Sequence, residues 1–477
     1  MQVVISALLR EKKPLLKKLI DELSKEFKYA SILATDSKGK MFSVRKRSVS
    51  VGDSFMCTEC GYVVRVYNGV GYSEYSFNAI EDVSSIVSKM KEIANSDVEF
   101  LKSNGTTFIS YPVIEEEEVQ KTFFAEIGQP LDAMNAKEKI EYMTRIMQKG
   151  LAYNEKLIDF VVNYEEVQVS KMFLSTKKDL EQSYVYSIGY LIPYLKEGDV
   201  VKYSLKSFSR LAGVELLEDM MGNVEKACEN VAEIFKAEPI TPGVYDIICS
   251  PEVTGLIAHE AFGHGVEMDM FVKNRAKAKD YIGKAVASPV TEMHDGAKAA
   301  TQVSSYLFDD EGTLASDTCI IKNGILQTGM CDLLSALSLG IKPTGNGKRE
   351  SFERKAYTRM TNTFFSVGNA TLDEMIASVE RGYLLEGYFS GMEDPKNWGI
   401  QCAVEKGREI INGKLTGKIV GPIFLTGYVP TLLSSISMIS NSGDFSLCGG
   451  GYCGKGYKEL VRVSMGGSYI KATGRLG

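Results

Sequence analysis

The feature that most limits how this 477-residue chain can fold is the segment Pro239, Thr241, Pro242, Gly243, which ends a helical pattern over 214–237. Proline removes a backbone donor and fixes φ, so two prolines and a glycine this close stop a helix and open a linker. A single core rarely grows beyond about 250–300 residues, so the break divides the chain into two domains, 1–237 and 238–477. The first half alternates helix and strand patterns. Leu15, Leu16, Leu19, Ile20 and Leu23 take helical spacing over 12–27, and strand-like alternation follows near 42–51. Asn68-Gly69 marks a hairpin, further helices are expected over 83–94 and 137–153, and strands over 160–192. The acidic run 115–118 reads as solvated surface. The second half holds most of the 44 glycines, with turns at Asn323-Gly324, Asn412-Gly413 and Gly449-Gly450-Gly451. This pattern predicts an α+β protein whose C-terminal domain is mainly antiparallel sheet, barrel-like, with a few helices.

Composition excludes several classes. A formal charge of −6 offers no basic excess for phosphates, which argues against a nucleic-acid partner. No apolar stretch is long enough for a membrane span, and residues 1–9 lack the flanks of a signal peptide, so a cytoplasmic location is expected. Nine cysteines, an odd count without an export signal, fit reduced thiols better than a disulfide framework.

The chain has three histidines, and two of them, His259 and His264, stand five residues apart with Glu260 directly after the first. In the common zinc motif the histidines are four apart, about 40° around a helix; five apart is about 140°. Both imidazoles cannot reach one zinc at about 2.0–2.1 Å from an undistorted helix. A π-bulge or a break is therefore predicted, at the glycines that flank His264, Gly263 and Gly265. Glu260 is placed to act as general base, taking a proton from activated water and passing it to a leaving amine.

A catalytic zinc takes a third protein ligand. His294 lies in a predicted loop, Glu292 to Gly296, and reads as a surface residue. Cysteine is the chemically better donor, and Cys453 stands out because its glycine-rich surroundings allow close backbone approach. The lone pair Cys57 and Cys60 is a weak metal or redox signal without a second pair.

The segment His259-Glu260-Ala261-Phe262-Gly263-His264-Gly265-Val266-Glu267 resembles the metal motif of the TldD/PmbA family. Asp309 to Thr313, Thr344 to Ser351, Arg359 to Thr363 and Cys453-Gly454-Lys455 resemble its later segments, and Gly61 to Gly69 an earlier one. The resemblance implies a peptidase with one Zn2+ per chain held by His259, His264 and Cys453, with Glu260 as base. It further implies a secluded cavity admitting unfolded or modified peptide, and a homodimer or a heterodimer with a TldE/PmbA-like chain. An extended peptide can add to a sheet edge, and the segment from Arg359 through Thr361 and Asn362 to Phe365 is the expected edge. Two rival readings remain: another zinc amide hydrolase, and a non-catalytic peptide-binding or regulatory partner, as in proposed roles toward DNA gyrase.

Overall fold

The computed structural model describes residues 1–54, 57–80, 82–103, 110–457 and 459–477. The first sheet is built on two long strands, Leu157–Ser175 and Lys178–Glu197, paired antiparallel. Its order is Tyr72–Phe77, Glu59–Tyr67, Ala30–Arg45, Leu157–Ser175, Lys178–Glu197, Val119–Phe124; Ser48–Asp53, Val200–Tyr203 and Lys206–Arg210 add at its margins. The Asn68-Gly69 turn joins Glu59–Tyr67 to Tyr72–Phe77, as its sequence requires.

Helices cover one face of this sheet. Helix Ala7–Glu26 buries Leu9, Leu16, Leu19, Ile20 and Leu23 against Ile32, Ala34, Val64 and Met172. It begins earlier than the spacing from residue 12 suggests, and Val83–Ser103 runs well past residue 94. Helix Ala136–Tyr153 starts with a capping box, in which Asn135 and Glu138 satisfy each other's backbone donors. The single helix expected over 214–237 is two, Leu216–Gly222 and Val224–Lys236. Asn223 leaves helical geometry between them, and its side chain donates to the Asp219 carbonyl, a competing bond typical of asparagine.

The opposite face of the sheet meets the second half of the chain. Phe173 packs with Phe308, and Tyr184 and Tyr186 with Val303 and Tyr306. Buried ion pairs cross the same seam, including Arg65 with Glu311 at 2.7 Å and Lys171 with Asp310.

In the second half, Gly243–Cys249, Arg381–Asp394, Gly399–Ile411, Ile423–Tyr428 and Ile470–Leu476 close into a five-stranded barrel. All its pairings are antiparallel except Gly243–Cys249 with Arg381–Asp394. The expected α+β, barrel-like architecture is thus what the chain forms. A second sheet has the order Ile325–Leu326, Thr318–Lys322, Met293–Asp295, Asn362–Phe365, Ser464–Gly467, Ser446–Cys448. Between barrel and sheet runs the helical segment from Pro251 to Val266, whose Leu256, Ile257, Ala261 and Phe262 join the barrel's Cys249, Leu385, Cys402 and Leu425 in one core. No helix among the described residues is long and apolar enough to cross a membrane.

Candidate metal centre

The segment that carries the two histidines changes its winding as it passes through the core. Pro251 opens a short α-helix, Pro251–Leu256, at the position where its missing donor costs nothing. Gly255 lets this helix lie against the strand Ser464–Gly467; a Cβ there would sit 2.4 Å from the Gly466 nitrogen. From Ile257 to Gly263 the winding is π, and the His264 N–H donates to the carbonyl of His259, five residues back. A π turn absorbs one residue more than an α turn, so positions five apart come to the same face. The two imidazoles consequently meet, ring centroids 5.0 Å apart and nearly perpendicular at 84°. Gly263 is closely packed, and a Cβ there would lie 2.3 Å from the sulfur of the buried Met360, which would have to shift. A tight turn of 3-10 type, His264–Val266, ends the segment.

Cys453 arrives from far along the chain, on the strand Tyr452–Lys455 of a hairpin with Glu459–Arg462. The buried Arg359 guanidinium donates to the carbonyls of Cys453 and Glu459 and so fixes that hairpin. Cys453 Sγ lies 3.5 Å from His264 Nε2, and one donor atom each from His259, His264 and Cys453 fall within 4.8 Å of one another. Two ligands at about 2.05 and 2.3 Å on a tetrahedral ion stand roughly 3.5 Å apart, so the donor set fits zinc in type and spacing. Burial by itself would push the Cys453 thiol up, but His264 and His259 beside it hold it well below its ordinary value. Burial likewise opposes a charged His264, and the neighbouring Cys453 and Glu267 outweigh it. A thiol poised to ionise between imidazoles is the electrostatic signature of a cation site.

The ligands are held from behind. His264 Nδ1 faces Glu267 Oε2 at 3.2 Å, leaving Nε2 for the site. Lys455 Nζ clamps Glu267 at 3.0 Å and Asp269 at 2.6 Å, and also donates to the Thr358 carbonyl. Glu267 is deeply buried, which opposes its charge, yet Lys455 and His264 keep it far below the usual carboxylate range. Such a carboxylate–histidine pair orients the ring and fixes its tautomer. The Glu260 carboxylate reaches to 3.9 Å from His264 Nε2. It occupies space that only glycine leaves open, because a Cβ on Gly391 would lie 2.4 Å from Glu260 Cγ. A cavity of about 310 Å3 opens at His264, walled by Glu267, Arg275, Tyr357, Glu393 and Lys455. Glu267, Lys455 and Gly391 were not assigned roles from sequence; Glu267 stands three residues beyond His264 and Lys455 two beyond Cys453, whereas Gly391 carries no such signal.

Other sequence expectations need correction. Arg359, Thr361 and Asn362 do not form an exposed edge: all three are buried, and Asn362–Phe365 lies between Met293–Asp295 and Ser464–Gly467. Most of their polar groups are engaged internally, while Arg359 Nε and Asn362 Oδ1 are buried without a partner. Thr361 donates to Asp295 through its N–H and its hydroxyl, both at 2.9 Å, and Asn362 donates to Gly296 and Ala300 carbonyls. His294 is on a strand rather than in a loop, because its neighbours Met293 and Asp295 are drawn into the core. Cys57 sits in a polar cluster, 3.3 Å from both Tyr186 and Tyr452 hydroxyls, and Cys60 lies on the strand Glu59–Tyr67; both are free thiols.

The chain is similar to known proteins over most of its length. Residues 242–474 match the PmbA/TldA metallopeptidase C-terminal domain. A metalloprotease of Methanocaldococcus jannaschii is 27% identical over 86% of this chain and 89% of its own length. A zinc metalloprotease TldD homolog of Saccharolobus solfataricus is 28% identical over 71% of this chain and 75% of its own. The fold matches TldE from Thermococcus kodakarensis with a TM-score of 0.71 at 18% identity, covering 97% of this chain and 99% of that one. With a metallopeptidase domain over its second half and metalloproteases among its relatives, this chain belongs to the TldD/PmbA family and is a metallopeptidase.

Proposed function

We propose that this chain is a zinc-dependent peptidase that cleaves unfolded or modified peptides with Glu260 as general base. The observation that carries the reading is the convergence of His259, His264 and Cys453, with Glu260 3.9 Å from His264 and a 310 Å3 cavity opening at His264. His259, His264 through Nε2 and Cys453 Sγ would hold the ion, three protein donors leaving a position open. When bound, zinc lowers the pKa of water to about 7 and polarises the substrate carbonyl.

The chain's own groups then do the rest. Glu260 takes the proton of the attacking water and returns it to the leaving amine, a transfer within reach of a carboxylate held against the ligands. Gly391 fixes where that carboxylate can lie. Glu267 and Lys455 keep the His264 ring turned so that Nε2, not Nδ1, faces the site. The partly enclosed cavity favours extended chain over folded protein. Assembly as a homodimer or with a TldE-like chain belongs to the same reading, supported by the fold's likeness to TldE. A cytoplasmic setting is supported by nine free thiols.

The test is Glu260→Gln, which keeps the shape of the side chain and removes the base. Peptide cleavage should fall sharply while zinc content stays at the wild-type level. Unchanged cleavage in a zinc-replete variant would remove Glu260 from the reaction.

A further inference from the structure

The third histidine belongs to a second cluster on a different sheet. His294 and Cys319 are directly paired across the antiparallel strands Met293–Asp295 and Thr318–Lys322. Opposed residues in such a pair put their side chains on one face, and Glu292, two residues before His294, shares it. The three side chains accordingly converge, with one donor atom each from Glu292, His294 and Cys319 within 4.8 Å of one another. His294 Nε2 is 3.0 Å from Glu292 Oε1.

The imidazole is also aimed. On its other nitrogen, His294 Nδ1 lies 2.6 Å from Asp317 Oδ1, the arrangement by which a carboxylate orients a metal-ligating histidine. On the next strand, Phe364 is paired with His294 and stacks on its ring, centroids 5.7 Å apart and planes within 8°. The ring is thus fixed by a neighbour on one side and a carboxylate at its rear, with Nε2 turned to the thiol and the second carboxylate. A simple ion pair between imidazolium and two carboxylates would account for Glu292 and Asp317. It would leave the thiol opposite the ring with no part in that pair, its one hydrogen bond being donated to the Ile321 carbonyl at 3.4 Å.

We propose that Glu292, His294 and Cys319 form a second metal site that takes a zinc-type divalent cation, with Asp317 positioning His294. A thiolate, an imidazole and a carboxylate are a borderline-soft set that selects zinc over magnesium or calcium. Binding releases to solvent the Cys319 thiol proton and any proton on His294 Nε2, and Glu292 exchanges its contact with the ring for the ion. The site is half open: the Glu292 and Asp317 side chains are 38% and 49% exposed, so an entry path exists and the ion can exchange.

The experiment uses the full chain carrying His264→Ala and Cys453→Ala, titrated with cobalt(II), whose thiolate complexes absorb in the near ultraviolet. Thiolate–cobalt absorption should saturate at about one equivalent per chain and vanish on adding Cys319→Ser or His294→Ala. Asp317→Asn should weaken cobalt and zinc binding about tenfold or more without abolishing the band. No thiolate band, or a band that survives Cys319→Ser, overturns the proposal. If the double background does not fold, zinc is counted in otherwise wild-type protein. Loss of about one ion per chain in Glu292→Gln/His294→Ala then supports the site, and an unchanged count overturns it. Failure of the first centre reads differently, since it would appear as unchanged zinc content in Cys453→Ala.

Discussion

Two clusters in this molecule use closely similar donors and differ in how they are enclosed. His259 and Cys453 are buried where they meet the half-buried His264, and the carboxylate behind His264, Glu267, is itself buried and clamped by Lys455. Glu292, His294 and Cys319 meet on one face of a strand pair, and the carboxylate behind His294 is half exposed. The orienting device is the same in both. What differs is the dielectric around it, and with it the cost of leaving any member unpaired. The deep cluster also has Glu260 alongside and a cavity opening at His264. On the proposed function, reactive chemistry falls to the deep cluster, and on the proposed second site, exchangeable binding falls to the shallow one.

The sharpest way to break this contrast is at the base. Glu260→Gln should lower kcat by about 10²–10⁴-fold with zinc retained, whereas His294→Ala should leave kcat within about twofold. Peptide turnover measured beside metal content reads both, and a large loss from His294→Ala would merge the two roles. Next in size is the carboxylate behind the deep ligand. Glu267→Gln should weaken zinc binding about 10–100-fold, as judged by competition with a chromophoric chelator. An equal affinity would mean that Lys455 and Glu267 serve packing alone.

Gly391→Ala tests placement rather than chemistry. Its added methyl would press on Glu260, and kcat should fall about tenfold or more with zinc content unchanged, since a small misplacement of a catalytic group is costly. Normal kinetics would show that Glu260 has room to shift. Chelator exposure sharpens the comparison further: the half-exposed site should empty before the buried one, followed by zinc release over time in wild type and Cys319→Ser. The smallest effect concerns the corrected strand. Thr361→Ala should reduce stability by about 1–2 kcal/mol in denaturant unfolding, because Asp295 loses one donor, and KM should not move. A raised KM with unchanged stability would return Thr361 to the substrate.

The amino-acid sequence by itself determined the helix-and-strand character of the first half, the turn at Asn68-Gly69 and the barrel-like β character of the second. These are local matters, set by side-chain periodicity and by residues that tolerate turn geometry. It also determined that a helix bearing His259 and His264 had to deviate, since five-residue spacing and one ion are incompatible with regular α winding. The structure supplies the π turn Ile257–Gly263 that this demands.

Tertiary structure alone decided the rest. Whether Arg359 to Phe365 is an edge or an interior strand depends on Met293–Asp295 and Ser464–Gly467 arriving on either side, from segments far away in the chain. A run rich in arginine, threonine and asparagine reads as exposed until its partners are known, and here Asp295, Gly296, Ala300 and the Cys453 hairpin each accept from one of those three side chains in the interior. His294 opposite Cys319, and Cys453 against His264, are likewise products of strand register and core packing. Spacing along the chain carries no record of either, because contacts between distant segments are chosen by the whole core at once.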